Sequence, residues 1–142
     1  MDINTAKKII IADNDEQIIS LYRKIFADTG YEISVAKSAP EMAEELRLIR
    51  LGYSPKPDLI IMDLMAPYTK GVEILNSVKK SCLTCDIPVF VFSNYQNNDL
   101  TVELTKRGIL PDKYFIKTNI TPAQILEIIN QQFSLRSTAN LI

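Results

Sequence analysis

The sequence predicts an α/β fold in which one parallel sheet lies between two layers of helices. Three observations predict it. Short apolar runs alternate with longer stretches of helical period along the chain. The runs are apolar throughout rather than at every second residue, so both faces of each strand must be covered. Residues that start and stop helices stand between the runs.

The first run is Ile9-Ile10-Ile11-Ala12. The stretch after it places Ile18, Ile19, Tyr22, Ile25 and Phe26 on one helical stripe, and Gly30 stands where the chain must turn. A weaker second run spans Tyr31 to Ala36. Ser38-Ala39-Pro40-Glu41 then reads as a capping box, opening a helix that carries Met42, Leu46 and Ile49 before Gly52. The third run is Leu59-Ile60-Ile61-Met62, followed by a helix from about Gly71 to Cys82 with Ile74, Leu75 and Val78 inward. The fourth run is Val89-Phe90-Val91-Phe92, and the helix after it, about Asn98 to Arg107, is the least amphipathic. Gly108 ends it, and Tyr114-Phe115-Ile116 is the fifth run. Thr121-Pro122-Ala123-Gln124 is a second capping box, with proline at the first helical position, and its stripe is Ile125, Ile128, Ile129 and Phe133.

Five β–α units in a row imply right-handed crossovers and a parallel sheet. At this size the expected architecture is the flavodoxin-like (βα)5 three-layer sandwich, with strand order 2-1-3-4-5. Residues 1–134 form the one domain expected, and 135–142 a short polar C-terminal tail.

The chain has 142 residues, enough to bury a substantial core without disulfides. The formal net charge of −1 lacks the basic excess of a nucleic-acid protein. The apolar run near the N-terminus is too short for a signal peptide or a membrane span, so a cytoplasmic protein is expected, with no nucleic acid and no membrane as partner. Cys82 and Cys85 are spaced C-x-x-C. A redox motif would favour the start of a helix near the first strand, and a zinc site would need further ligands in a chain that has no histidine. Two reduced thiols near a helix end are expected.

The chemistry-bearing residues leave the carboxyl ends of the strands. Asp13-Asn14-Asp15 follows the first, Asp63 the third, Ser93 the fourth and Lys117 the fifth. In the order 2-1-3-4-5 these four strands are contiguous, and ligands bind outside the carboxyl ends at the switch point. Singly, each residue reads as a helix cap, a turn residue or a solvated end. Jointly they assemble carboxylates, a hydroxyl and an ammonium in one crevice. Clustered carboxylates call for a hard divalent cation such as Mg²⁺. A carboxylate oxygen can attack phosphorus to give an acyl phosphate, while a metal, a lysine and a hydroxyl stabilise the transferring group.

The segment from Pro57 to Gly71, with Asp63, Pro67 and Gly71 at its key positions, resembles the phosphoacceptor segment of response-regulator receiver domains, the CheY-like family of two-component systems. The resemblance runs from about Lys7 to Phe133. It implies that Asp63 is the phosphoacceptor, Asp13 the first of the acidic pair, Ser93 the switch hydroxyl, Lys117 the family lysine and Tyr114 the switch aromatic. The implied cofactor is Mg²⁺ or Mn²⁺, held by Asp13, Asp63 and the backbone carbonyl of Met65, with Asn14 and Asp15 as further candidates. Asn14 stands where the family has a second acid, Asn94 and Tyr95 follow the switch hydroxyl where it has a small residue, and Thr118 follows the lysine where it has proline.

The expected function is therefore a single-domain receiver. It takes a phosphoryl group from a histidine kinase or a histidine phosphotransfer protein and signals to a downstream protein by contact, including phosphorylation-dependent pairing into a homodimer. It is not expected to be an enzyme beyond slow autodephosphorylation. A receiver-like scaffold that is never phosphorylated is the alternative, favoured by Asn14. An aspartyl-nucleophile phosphohydrolase ranks third, because Met65 stands where such enzymes want a second aspartate.

Overall fold

The computed structural model describes residues 6–63, 68–93, 104–106, 108–116 and 120–140. Its five strands are β1 (Lys8–Ala12), β2 (Glu32–Ala36), β3 (Leu59–Asp63), β4 (Val89–Ser93) and β5 (Lys113–Ile116). They form one parallel sheet of order β2-β1-β3-β4-β5, the order expected from the sequence. The helices are α1 (Glu16–Ile25), α2 (Ala39–Arg50), α3 (Tyr68–Lys80) and α4 (Pro122–Asn140). The predicted helix from about Asn98 to Arg107 falls mostly outside the described residues. Within them, 104–106 is helical, and Leu104 and Ile109 are buried.

The caps explain where the helices begin. Asp15 accepts from the backbone N–H of Gln17 at 2.9 Å and of Ile18 at 3.5 Å, opening α1. Ser38 Oγ accepts from the Glu41 N–H at 3.1 Å, while the Glu41 carboxylate reaches back to the N–H of Lys37. The Thr121 box is reciprocal: its Oγ1 accepts from the Gln124 N–H at 3.2 Å and its own N–H donates to Gln124 Oε1 at 2.8 Å. At the end of α2, Gly52 (φ +82°) donates to Ile49 O and Tyr53 to Leu48 O, the paired bonds of a Schellman motif that needs a left-handed residue.

Two boundaries differ from the sequence reading. Helix α3 begins at Tyr68, three residues earlier than periodicity suggested, and ends at Lys80. Helix α4 continues to Asn140, so 135–140 is helical where a polar tail was expected. Its apolar stripe ends at Phe133, and beyond it the sequence carries no apolar period to announce a helix.

Each face of the sheet has its own cluster. On one, Ile9, Ile11, Leu59, Ile61, Phe90 and Phe92 pack against Tyr22 of α1, Phe26 at its C-cap, and Ile125, Ile129 and Phe133 of α4. On the other, Ile10, Ile60, Met62, Val89 and Val91 pack against Met42, Leu46 and Ile49 of α2 and Val72, Leu75 and Val78 of α3. Adjacent residues of one strand thus point into different clusters, which is why the strands read as unbroken apolar runs.

Candidate functional site at the carboxyl ends of the strands

The register of the sheet assembles the site. Ala12 of β1 pairs with Met62 of β3, so Asp13, the next residue, stands level with Asp63. Neighbouring parallel strands lie about 4.8 Å apart, which makes the two carboxylates neighbours across the strand gap. By strand alternation both lie on the α1–α4 face, in line with Ile9 and Ile11 in β1 and with Leu59 and Ile61 in β3.

Asp13 is held tightly. Its N–H donates to Ala36 O at 3.1 Å, extending the β1–β2 pairing by one residue. Its Oδ1 accepts from the Asp15 N–H at 2.9 Å. The residue is only 6% exposed. Asp63, ending β3, is half-buried. Of the two acids, Asp63 is the more exposed.

Beneath them lies Tyr22, 3% exposed. Its phenol is pushed well above its ordinary range, first by burial and then by the negative charges of Asp13 and Asp63. One buried phenol thus lies close enough to both carboxylates to feel their charge. Sequence reasoning assigned Tyr22 to the core stripe alone. The signal that was available is chemical: a phenol where a hydrocarbon would fill the stripe, on the helix that directly follows β1.

Ser93 ends β4 and is fully buried. Asp63 is in register with Phe92, so Ser93 stands one residue further along and, by alternation, on the opposite face of the sheet. Tyr114 pairs in register with Val91 and packs, half-buried, against the same α2–α3 cluster. Ser93 and Tyr114 thus share one face, and Asp13 and Asp63 the other.

Asn14 is exposed. Asp15 caps α1, so its Oδ1 is already engaged. Lys117, Met65, Pro67, Asn94, Tyr95 and Thr118 lie outside the described residues. Among the described residues, no three of His, Cys, Asp and Glu come together as a metal cluster, and the neighbouring carboxylates at this site are those of Asp13 and Asp63. The donor chemistry of two carboxylates suits Mg²⁺ or Mn²⁺, hard cations that take oxygen ligands and keep several waters.

Comparisons with known proteins bear on the family and the fold. Residues 9–130 match the family model described as response regulator receiver domain. The phosphate regulon transcriptional regulatory protein PhoB of Pseudomonas aeruginosa is 30% identical over 111 residues, covering 78% of this chain and 45% of that protein. The chain spans about half or less of the length of the first curated relatives it matches. The crystal structure of the phosphorylated cyanobacterial phytochrome response regulator RcpA superposes with a TM-score of 0.72 at 25% identity, over 88% of this chain and 89% of that one. The Mn²⁺-bound form of response regulator Rcp1 shares the fold, with a TM-score of 0.70 at 20% identity over 87% and 88% of the two chains. With the strand order, the paired carboxylates and a family match covering most of its length, the chain belongs to the response regulator receiver domains.

Proposed function

We propose that Asp63 accepts a phosphoryl group from a phosphohistidine on a histidine kinase or a histidine phosphotransfer protein. The observation that carries this reading is the Ala12–Met62 register, which sets a half-buried Asp63 beside a buried Asp13. A carboxylate oxygen of Asp63 attacks phosphorus, a P–O bond forms, the P–N bond breaks, and the departing imidazole takes a proton from solvent. Asp13 and Asp63 would hold the divalent cation, and the backbone carbonyl of Met65 and the amide of Asn14 would offer further oxygens. When bound, the cation supplies positive charge against the phosphoryl oxygens. Asp15 serves as the cap of α1 and stays out of the set. Lys117 pairs with the phosphoryl group from the end of β5.

The output is a contact with another protein. Ser93 donates to a phosphoryl oxygen, and because it starts fully buried on the opposite face, the end of β4 must move for it to do so. Tyr114, on that same face, then repacks. A groove of about 580 Å³ opens beside it, lined by Tyr114, Ile116, Ile120, Gln124, Glu127 and Ile128 among others, and a downstream protein or a second copy reads this edge.

The test is incubation with acetyl phosphate and Mg²⁺ followed by intact-mass measurement. The wild-type chain gains one phosphoryl group that is labile to base, and Asp63→Asn gains none. An Asp63→Asn variant that gains it at the wild-type rate overturns the reading. The exposed amide of Asn14 in place of an acid favours a second reading, a scaffold that is never phosphorylated. A wild-type chain with no mass gain at saturating Mg²⁺ establishes that second reading instead.

A further inference from the structure

We propose that Cys82 and Cys85 form a thiol–disulfide exchange site, whose oxidant is a low-molecular-weight disulfide such as oxidised glutathione. The site lies in the turn between α3 and β4, at the amino end of β4 and so at the opposite end of the sheet from Asp63. It is independent of the phosphoacceptor chemistry.

Three observations build it. Both thiols are free and exposed. The turn is closed by its own backbone: the N–H groups of Thr84 and Cys85 both donate to Ser81 O, at 3.1 and 2.8 Å, and the Ile87 N–H donates to Thr84 O at 3.0 Å. Residues three apart on such a helical turn have Cα atoms about 5 Å apart, inside the range of roughly 4.4–6.8 Å that a disulfide spans. Cys85 Sγ lies 3.9 Å from the carbonyl oxygen of Cys82, which ties the second cysteine's side chain to the backbone of the first.

The third residue of the motif explains why its neighbours face outward. Thr84 is fully buried, its Oγ1 donating to Val78 O at 2.8 Å. Arg50 at the end of α2 donates to the same hydroxyl at 3.4 Å and to Ser77 O at 2.6 Å. With Thr84 pinned inward, its neighbours Leu83 and Cys85 are turned to solvent, and Leu83 is 54% exposed. The dithiol is thus presented on a fixed turn rather than on a wandering loop. The C-x-x-C spacing alone did not distinguish this from two unrelated thiols.

The exchange balances as follows. One protein thiolate attacks the small disulfide, a mixed disulfide forms, and one small thiol leaves. The second protein thiolate attacks the protein sulfur of that mixed disulfide, the internal S–S bond forms, and the second small thiol leaves. The two protein S–H protons end on the two small thiols. Two electrons pass from the protein to the oxidant.

The experiment incubates the native chain with oxidised glutathione, alkylates remaining thiols under denaturing conditions and reads intact and peptide masses. The wild-type chain loses two hydrogens, retains no glutathione, gives a peptide linked between Cys82 and Cys85, and recovers both thiols with dithiothreitol. Cys82→Ser and Cys85→Ser each stop at one stable glutathione adduct. Closure is faster in the native chain than in urea by a factor on the order of ten, because the fixed turn supplies the effective concentration. A wild-type chain that keeps two glutathiones, links between chains, or closes no faster than in urea overturns the proposal.

Discussion

The two faces of the sheet are packed with different side chains and carry different parts of the candidate site. The α1–α4 face is aromatic. Phe92 meets Tyr22 edge-on at 6.3 Å and stacks on Phe115 at 5.0 Å, and Tyr22 stacks on Phe26 at 6.1 Å. Phe92 is in register with Asp63, so the ring cluster forms a floor directly beside the carboxylates. The α2–α3 face is aliphatic, built from Ile, Val, Leu and Met, with Tyr114 half-buried at its margin, and it carries Ser93. Rings have few rotamers and interlock by shape, while Met and Leu repack at small cost. Asp63, the proposed nucleophile, therefore stands over the stiffer cluster, and Ser93, the hydroxyl that would respond to it, stands over the more adaptable one. Strand alternation is what separates them: Phe92 and Ser93 are adjacent in sequence and face opposite ways.

If that division is functional, it breaks most completely at Ser93. Ser93→Ala should still accept phosphate, because Asp63 and Asp13 lie on the other face. It should lose the dependence of partner contact on phosphorylation, and Tyr114→Ala should lose it too. Amide shifts around Tyr114, recorded with and without a beryllofluoride mimic on Asp63, provide the measurement. Shifts that move as much in Ser93→Ala as in wild type would show that the aliphatic face is not the responder.

A stability comparison follows in size. Phe92→Ala removes a fully packed ring between Tyr22 and Phe115 and should cost about 3–5 kcal/mol. Val91→Ala, one residue away on the aliphatic face, should cost about 2 kcal/mol. Urea unfolding gives both, provided the slope is unchanged. Equal costs would mean that the aromatic floor is no stiffer than its counterpart.

The face with the carboxylates also has a distinct pH response. Burial, and then the charges of Asp13 and Asp63, raise Tyr22 above its ordinary value of 10.0. In the unfolded chain the phenol ionises near that ordinary value, while in the folded chain it stays neutral. The folded state then binds more protons, so stability is fully present below about pH 10 and falls above it, by about 1.4 kcal/mol per pH unit for one group. Tyr22→Phe should flatten this alkaline decline. Asp13→Asn should lessen it partly, since burial is the larger cause. Chemical unfolding at two alkaline pH values tests both. A Tyr22→Phe variant with the wild-type pH slope would show that other tyrosines or lysines govern that range.

The fold was legible because each of its signals is local. Unbroken runs such as Leu59 to Met62 needed only composition, and Ser38 and Thr121 announced their helices through side chains that satisfy backbone donors three residues on. That Asp13 stands level with Asp63 followed from topology. What stayed hidden depends on contacts distant in sequence. That Asp63 and Ser93 face opposite ways is a matter of register between β3 and β4. The anchoring of Thr84 by Arg50 links residues 34 apart, and no spacing rule reaches that far. Tyr22 was assigned to the right stripe, but its polar end was visible only once α1 was seated on β1 and β3.

The smallest expected effect is also the one that best separates two roles at the same loop. Asp13, Asn14 and Asp15 are consecutive, and the sequence admits all three as metal ligands. The structure gives them different duties. Asp13 is buried and level with Asp63, Asn14 is exposed, and Asp15 accepts from the N–H groups of Gln17 and Ile18. An aspartate at this position stabilises a helix both by that bond and by its charge at the positive end of the helix dipole. Asp15→Ala should therefore cost about 1 kcal/mol of stability. Its affinity for Mg²⁺ or Mn²⁺ should stay near wild type, because the lost carboxylate was occupied by α1. Asp13→Asn should instead weaken metal binding sharply, since it removes one of two charged donors. Asn14→Asp should tighten binding by adding a charge beside them. Manganese titration followed by urea unfolding on the three variants reads both quantities from the same samples. If Asp15→Ala binds manganese as poorly as Asp13→Asn, then Asp15 is a ligand and the cap is its secondary duty.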